Sequence, residues 1–235
     1  MSTALITGAN KGLGYETARR LIAEGHTVWI GARDAERGRQ AAERLGARFV
    51  QIDVTNDASV AAAVRAVEAD GGLDVLVNNA GIELRRPDNS VVPTAETTAD
   101  QMRQTFETNV FGVVRVTHAF LPLLRRSAAP VIVNVSSGLA SLDHVSDPDQ
   151  PAYMFPGLDY PASKLAVNMI TVQYAKALPS FRINAVEPGF TKTDLNGNTG
   201  FQTVEQGAEA IVRMALVDLD GPTGGYFDRN GTLPW

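Results

Sequence analysis

The chain of 235 residues has no cysteine, which excludes disulfides, thiol catalysis and cysteine-ligated metals. Histidine is scarce as well: His118 falls inside a helical stretch beside Thr117 and Phe120, and His26 and His144 have no acidic partners at ligand spacing, so no metal site is expected. No apolar stretch approaches the roughly 18 residues of a spanning helix, and a membrane role is not expected. Lys and Arg total 21 against 26 Asp and Glu, giving a net charge of −5. Without a basic run, this balance also argues against nucleic acid as a partner. Met1-Ser2 leads directly into a strand pattern, leaving no room for a signal peptide, so a cytoplasmic location is expected. Glycine, by contrast, is plentiful: 21 residues, above the average share of about 7%.

Short β-branched runs alternate with longer amphipathic stretches. Strands are expected at 4–7, 27–30, 48–52, 74–77, 131–135, 182–186 and 225–227. Helices are expected at 13–24, 34–45, 55–69, 96–126, 158–178 and 204–217, the fourth of them broken near Asn109. Strands separated by helices of this length imply right-handed crossovers and a parallel sheet covered on both faces. The continuous apolar strands agree with burial on both faces. One doubly wound α/β domain of Rossmann type over 1–235, with about seven strands, is the expected fold.

The first strand ends in Gly8-Ala9-Asn10-Lys11-Gly12-Leu13-Gly14 and then enters a helix. Glycines there let the backbone turn sharply and let a pyrophosphate approach the free N–H groups of the helix N-terminus. The spacing is Gly-x-x-x-Gly-x-Gly, preceded by Thr7. It resembles the compact branch of the short-chain dehydrogenase/reductase family.

That resemblance implies a nicotinamide dinucleotide as cofactor. The second strand ends Ile30-Gly31-Ala32-Arg33, with no acid at its tip to bind the 2′-hydroxyl of NAD. Arg33 can instead pair with a 2′-phosphate, and Lys11 can reach the same group. Asp34 adjoins Arg33 and is placed to compete for it. The arrangement is similar to NADPH-preferring carbonyl reductases of the family, and NADPH is expected over NADH. By the same resemblance, Asp53 and Val54 bind adenine, and Asn79, Ala80 and Gly81 pass beside the adenosine ribose.

Tyr160 and Lys164 stand at i and i+4, on one helix face. Carbonyl reduction needs a proton for the developing alkoxide, and a phenol near pKa 10 supplies it poorly unless an ammonium stabilises the phenolate. Lys164 can do this while hydrogen-bonding the nicotinamide ribose. The fifth strand ends in Ser136-Ser137, where a hydroxyl can donate to the carbonyl oxygen. The family pattern assigns that role to Ser137 and makes Ser136 a structural neighbour. It also gives Asn109 a water that links Lys164 to solvent. Within Pro188-Gly189-Phe190-Thr191-Lys192-Thr193, it places the nicotinamide ring near backbone at Phe190 and the carboxamide on Thr193. The Gly- and Asn-rich stretch at 195–200 reads as a substrate-covering loop.

Ser137 and Tyr160 lie 23 positions apart, about twice the interval of most compact members. The added segment, 141–156, contains three prolines and three aspartates and is expected to be irregular. An insertion at this place resembles the monomeric carbonyl reductases. It is expected to line the substrate cleft and weaken oligomerisation, favouring a monomer or dimer over a tetramer.

The expected activity is NADPH-dependent reduction of a ketone, aldehyde or quinone. Oxidation of an alcohol with NADP⁺ or NAD⁺ uses the same groups in reverse and stays open. A dinucleotide-sensing protein without chemistry is the rival from another class, and the filled Asn109, Ser137, Tyr160 and Lys164 positions speak against it.

Overall fold

Seven parallel strands form the centre of the molecule in the order β3-β2-β1-β4-β5-β6-β7. They are β1 (Thr3–Thr7), β2 (Thr27–Ala32), β3 (Arg48–Gln51), β4 (Val75–Asn78), β5 (Val131–Val135), β6 (Arg182–Val186) and β7 (Tyr226–Phe227). The computed structural model describes residues 1–235. The chain winds outward from β1 to β3, returns to lay β4 on the other side of β1, and continues to β7. The reversal leaves a crevice at the carboxyl ends of β1 and β4, where open α/β sheets bind ligands.

Alternation along the strands supplies two cores. Ala4, Ile6, Val28, Ile30, Val77 and Val133 face one side. There they meet α1 (Gly12–Ala23), α2 (Ala35–Leu45) and α8 (Val204–Ala215) through residues such as Leu21, Ala41 and Ile211. Leu5, Trp29, Leu76, Ile132 and Ile183 face the other side. They pack on Val60 and Val67 of α3 (Asp57–Ala69), Phe120 and Leu124 of α5 (Gly112–Leu124), and Ala175 of α7 (Asp159–Ala177). The doubly wound parallel architecture is therefore the one expected from the sequence.

Helix ends follow local side-chain chemistry. Asp34 caps α2 by accepting from the Glu36 and Arg37 amides, both at 3.0 Å, and Asn56 caps α3 through the Ser59 amide at 2.9 Å. The break expected near Asn109 is a π-helical turn, Glu107–Phe111, between α4 (Ala99–Phe106) and α5.

The 141–156 segment corrects an expectation, because it is not irregular throughout. It forms α6 (Leu142–Ser146) and a 3₁₀ turn at Pro151–Met154. Ser141 caps α6 through the His144 amide at 3.2 Å, and Pro151 stands at the first turn position, where its missing N–H costs nothing.

At the sheet centre, Asn78 and Asn134 are register partners on β4 and β5. Asn78 Nδ2 donates to Asn134 Oδ1 at 2.8 Å and to Thr117 Oγ1 at 3.0 Å. Asn134 Nδ2 continues to Thr171 Oγ1 at 2.9 Å. This buried chain ties α5 to α7 across β4 and β5 on one face of the sheet.

Candidate active site

A cleft of about 700 Å³ opens over the crevice at the sheet's carboxyl edge. Gly8, Asn10, Lys11, Gly12 and Leu13 form one wall. Gly8 takes φ +66, a conformation that turns the chain sharply into α1. No side chain caps the α1 N-terminus, so its first N–H groups remain available to an anion. Gly14 lies behind this wall, where a Cβ would sit 2.6 Å from Asn79 Nδ2. Asn79 braces the turn by donating to Thr7 O at 2.8 Å and Gly8 O at 3.2 Å. Thr7, the residue before the glycine turn, accepts the Asn79 and Ala80 amides on its hydroxyl, both at 3.0 Å.

At the end of the cleft beside β2 and β3, Arg33 is exposed and has no ionic partner. Asp34 forms no ion pair with it: its carboxylate caps α2 and pairs with Arg37 at 3.7 Å, while the charge of Arg33 adds to the cap in holding the carboxyl below its usual range. Arg37 joins Arg33 in the lining and was also missed. Its position one turn beyond the Asp34 cap was the available signal. Asp53 and Val54 line the neighbouring wall. One Asp53 oxygen accepts from Thr55 N at 3.0 Å and Thr55 Oγ1 at 2.7 Å.

At the opposite end, α7 brings Tyr160 and Lys164 to the cleft beside Ala80 and Gly81. Lys164 Nζ donates to Val135 O at 2.8 Å and lies 5.6 Å from the Tyr160 ring centroid. Burial holds the Lys164 ammonium down to about 8. The expected lowering of Tyr160 by Lys164 is not what dominates here. Burial pushes the phenol up, the Glu83 carboxylate adds to this, and hydrogen bonding from Ser137 opposes it. Both groups sit in a nearly dry pocket, where desolvation outweighs a charge over the ring face.

Ser137 follows β5, and its backbone carbonyl accepts from the Tyr226 hydroxyl at 2.5 Å. Ser136 lines the cleft although its buried hydroxyl donates to Asn168 Oδ1 at 2.6 Å, whereas Ser137 lies just outside the lining. Asn109 accepts the Ile82 amide at 2.8 Å and donates to Ile82 O at 2.9 Å and Ser163 Oγ at 3.0 Å. Gly81 faces both Asn109 Oδ1 and Lys164 Nζ.

Pro188 and Thr193 line the cleft. Gly189, Phe190 and Thr191 lie outside the lining: Thr191 donates to Pro188 O at 2.9 Å, and the Phe190 ring packs edge-on against Phe201. Asp194, also unforeseen, pairs with Lys11 at 2.7 Å.

A cleft of this length, with a glycine wall, an uncapped helix end, cations at one pole and a buried Tyr–Lys pair at the other, fits a nicotinamide dinucleotide. The pattern of the family described as short chain dehydrogenase matches residues 2–203. The chain is 32% identical to (+)-neomenthol dehydrogenase of Capsicum annuum, across 96% of this chain and 95% of that protein. It is also 32% identical to salutaridine reductase of Papaver bracteatum, across 97% and 94%. Among solved structures, an NADPH-bound carbonyl reductase from chicken fatty liver superposes with TM-score 0.85 at 25% identity, covering 100% of this chain and 99% of that one. Salutaridine reductase from Papaver somniferum gives TM-score 0.82 at 29% identity, covering 97% and 99%. The chain belongs to the short-chain dehydrogenase/reductase family and is an oxidoreductase.

Proposed function

We propose that this protein is an NADPH-dependent reductase that converts a ketone, aldehyde or quinone carbonyl to the alcohol. The observation carrying this reading is the pairing of two poles in one cleft. Buried Tyr160 and Lys164 stand at one end, and exposed Arg33, which is in no ion pair, stands at the other. Lys11, Arg33 and Arg37 would hold the 2′-phosphate, Asp53 and Val54 the adenine, and Thr193 the carboxamide. The NADPH-bound carbonyl reductase neighbour supports the same cofactor.

A bound dihydronicotinamide supplies hydride to the carbonyl carbon. Ser137 donates a hydrogen bond to the carbonyl oxygen and stabilises its growing charge. Tyr160 gives its proton to that oxygen, leaving the alcohol. Lys164, largely protonated at neutral pH with its pKa near 8, stabilises the resulting phenolate. Asn109 fixes the 81–82 backbone beside Lys164, shaping the path by which solvent returns the proton. A phenol raised by burial keeps its proton at neutral pH, the state in which Tyr160 acts as the acid.

Tyr160→Phe tests the assignment. Turnover should fall by at least about 100-fold, while NADPH still quenches the protein's fluorescence with unchanged affinity. Near-normal turnover in that variant refutes Tyr160 as the acid. The substrate is best sought by following NADPH oxidation across quinones, aldehydes, aryl ketones and keto esters.

A further inference from the structure

Lys11 and Asp194 come from opposite walls of the cleft. Lys11 belongs to the glycine turn before α1, and Asp194 opens the 3₁₀ turn Asp194–Asn196 after β6. Their 2.7 Å ion pair therefore crosses the cleft mouth and ties the 194–203 segment to the glycine turn. The segment has a second anchor. Asn89, in the 85–91 hairpin closed by the Arg85–Val91 bridge, lies over Gly197 so closely that a Cβ there would overlap its amide. Beyond its base, where the Phe201 and Gln202 amides donate to Phe190 O and the Lys192 amide donates to Gln202 O, the segment is thus a strap with two fastenings to other parts of the molecule.

The fastenings differ in kind. Asn89 on Gly197 is a packing contact, indifferent to anions. The Lys11 and Asp194 side chains are 57% and 62% exposed, so their attraction is weak and open to competition. Asp194 lines the same cleft as Lys11, Arg33 and Arg37, so its carboxylate shares that cleft with the cation group. A phosphate dianion at that group meets Asp194 as a rival of like charge.

We propose that Asp194 is a cofactor-discriminating residue that competes with the 2′-phosphate for Lys11, so that a 2′-phosphorylated dinucleotide unfastens this end of the strap. NADH lacks the competing group and leaves the pair closed. The proposal rests on the NADPH reading above and adds a residue that acts against the phosphate rather than for it. Discrimination then comes from a carboxylate that must be displaced as well as from cations that attract.

Adenosine 2′,5′-bisphosphate and 5′-AMP separate the 2′-phosphate from the nicotinamide half, and calorimetry reads their affinities without turnover. Asp194→Asn should bind the bisphosphate about three- to fivefold more tightly than wild type and bind 5′-AMP unchanged. The gain should vanish in the Lys11→Gln background. In the wild type, amide exchange across 194–203 should rise with the bisphosphate and not with 5′-AMP. An unchanged bisphosphate affinity in Asp194→Asn, a gain shared by 5′-AMP, or a gain that survives Lys11→Gln overturns the competition. Flat exchange overturns the unfastening. Arg33→Gln keeps the two readings apart. If wild type binds both nucleotides alike and Arg33→Gln changes nothing, the NADPH reading falls and takes this proposal with it. A wild type that favours the bisphosphate while Asp194→Asn is inert overturns the proposal alone.

Discussion

Lys164 is a long cation enclosed among protein atoms, with a backbone carbonyl as its one hydrogen-bond acceptor. Burial lowers its folded-state pKa to about 8, against 10.5 for the free group. Below pH 8 the folded protein carries an ammonium that would rather be in water. Between pH 8 and 10.5 the unfolded chain binds more protons at this site than the folded one, so Lys164's contribution to stability rises with pH. Wild type should therefore gain on Lys164→Met as pH climbs from 8 to 10, read as the difference between their urea midpoints. A difference that stays constant or shrinks over that range contradicts the burial effect. Tyr160 and Tyr226, both pushed upward by burial, act in the opposite sense only above their ordinary range. The i, i+4 spacing made the Tyr160–Lys164 pair visible in the sequence, because a helix face is a local property. What surrounds the pair was not visible: Glu83 and Tyr226 arrive from other strands' ends, and no spacing rule connects them.

The π-helical turn at Glu107–Phe111 is an element with a task. Its extra residue re-aims Asn109 toward the backbone of Ile82, where the side chain satisfies one N–H and one C=O. Asn109→Ala would leave those groups and the Ser163 hydroxyl without this partner. The variant should lose at least about 2 kcal/mol of stability, and the Ile82 amide should exchange faster with solvent. Protection at Ile82 equal to wild type would show that the turn does not hold this segment. A break near Asn109 was legible because the helical pattern ran on too long without a cap. Its π geometry was not, since it answers to Ile82 and Ser163 across the fold. The 141–156 segment shows the converse: its prolines suggested irregularity, yet Ser141 and Pro151 are placed where helical turns begin. The glycine turn was legible for a different reason. Its chemistry depends on missing side chains, and a missing side chain is written directly in the sequence. Asp194 carried no such mark, because the partner that gives it meaning lies on the opposite wall.

The two cores on either side of the sheet bear the stability of the whole molecule. Phe120 is fully buried on the face covered by α3, α5 and α7. Phe120→Ala should cost about 3–5 kcal/mol, measured by urea unfolding, while NADPH affinity well below the melting range stays near wild type. A loss below about 1 kcal/mol would mean that the face closes over the cavity. On that same face runs the buried chain from Thr117 through Asn78 and Asn134 to Thr171. Apolar strands of similar length can slide past one another with little penalty, since Val against Val looks much like Ile against Val. Two amides that meet only when Asn78 stands opposite Asn134 remove that freedom. A slip by one residue turns each amide to the wrong face and leaves it unpaired in a dry interior. The pair therefore works as an alignment mark, penalising near-miss registers of the sheet on which the cleft is built.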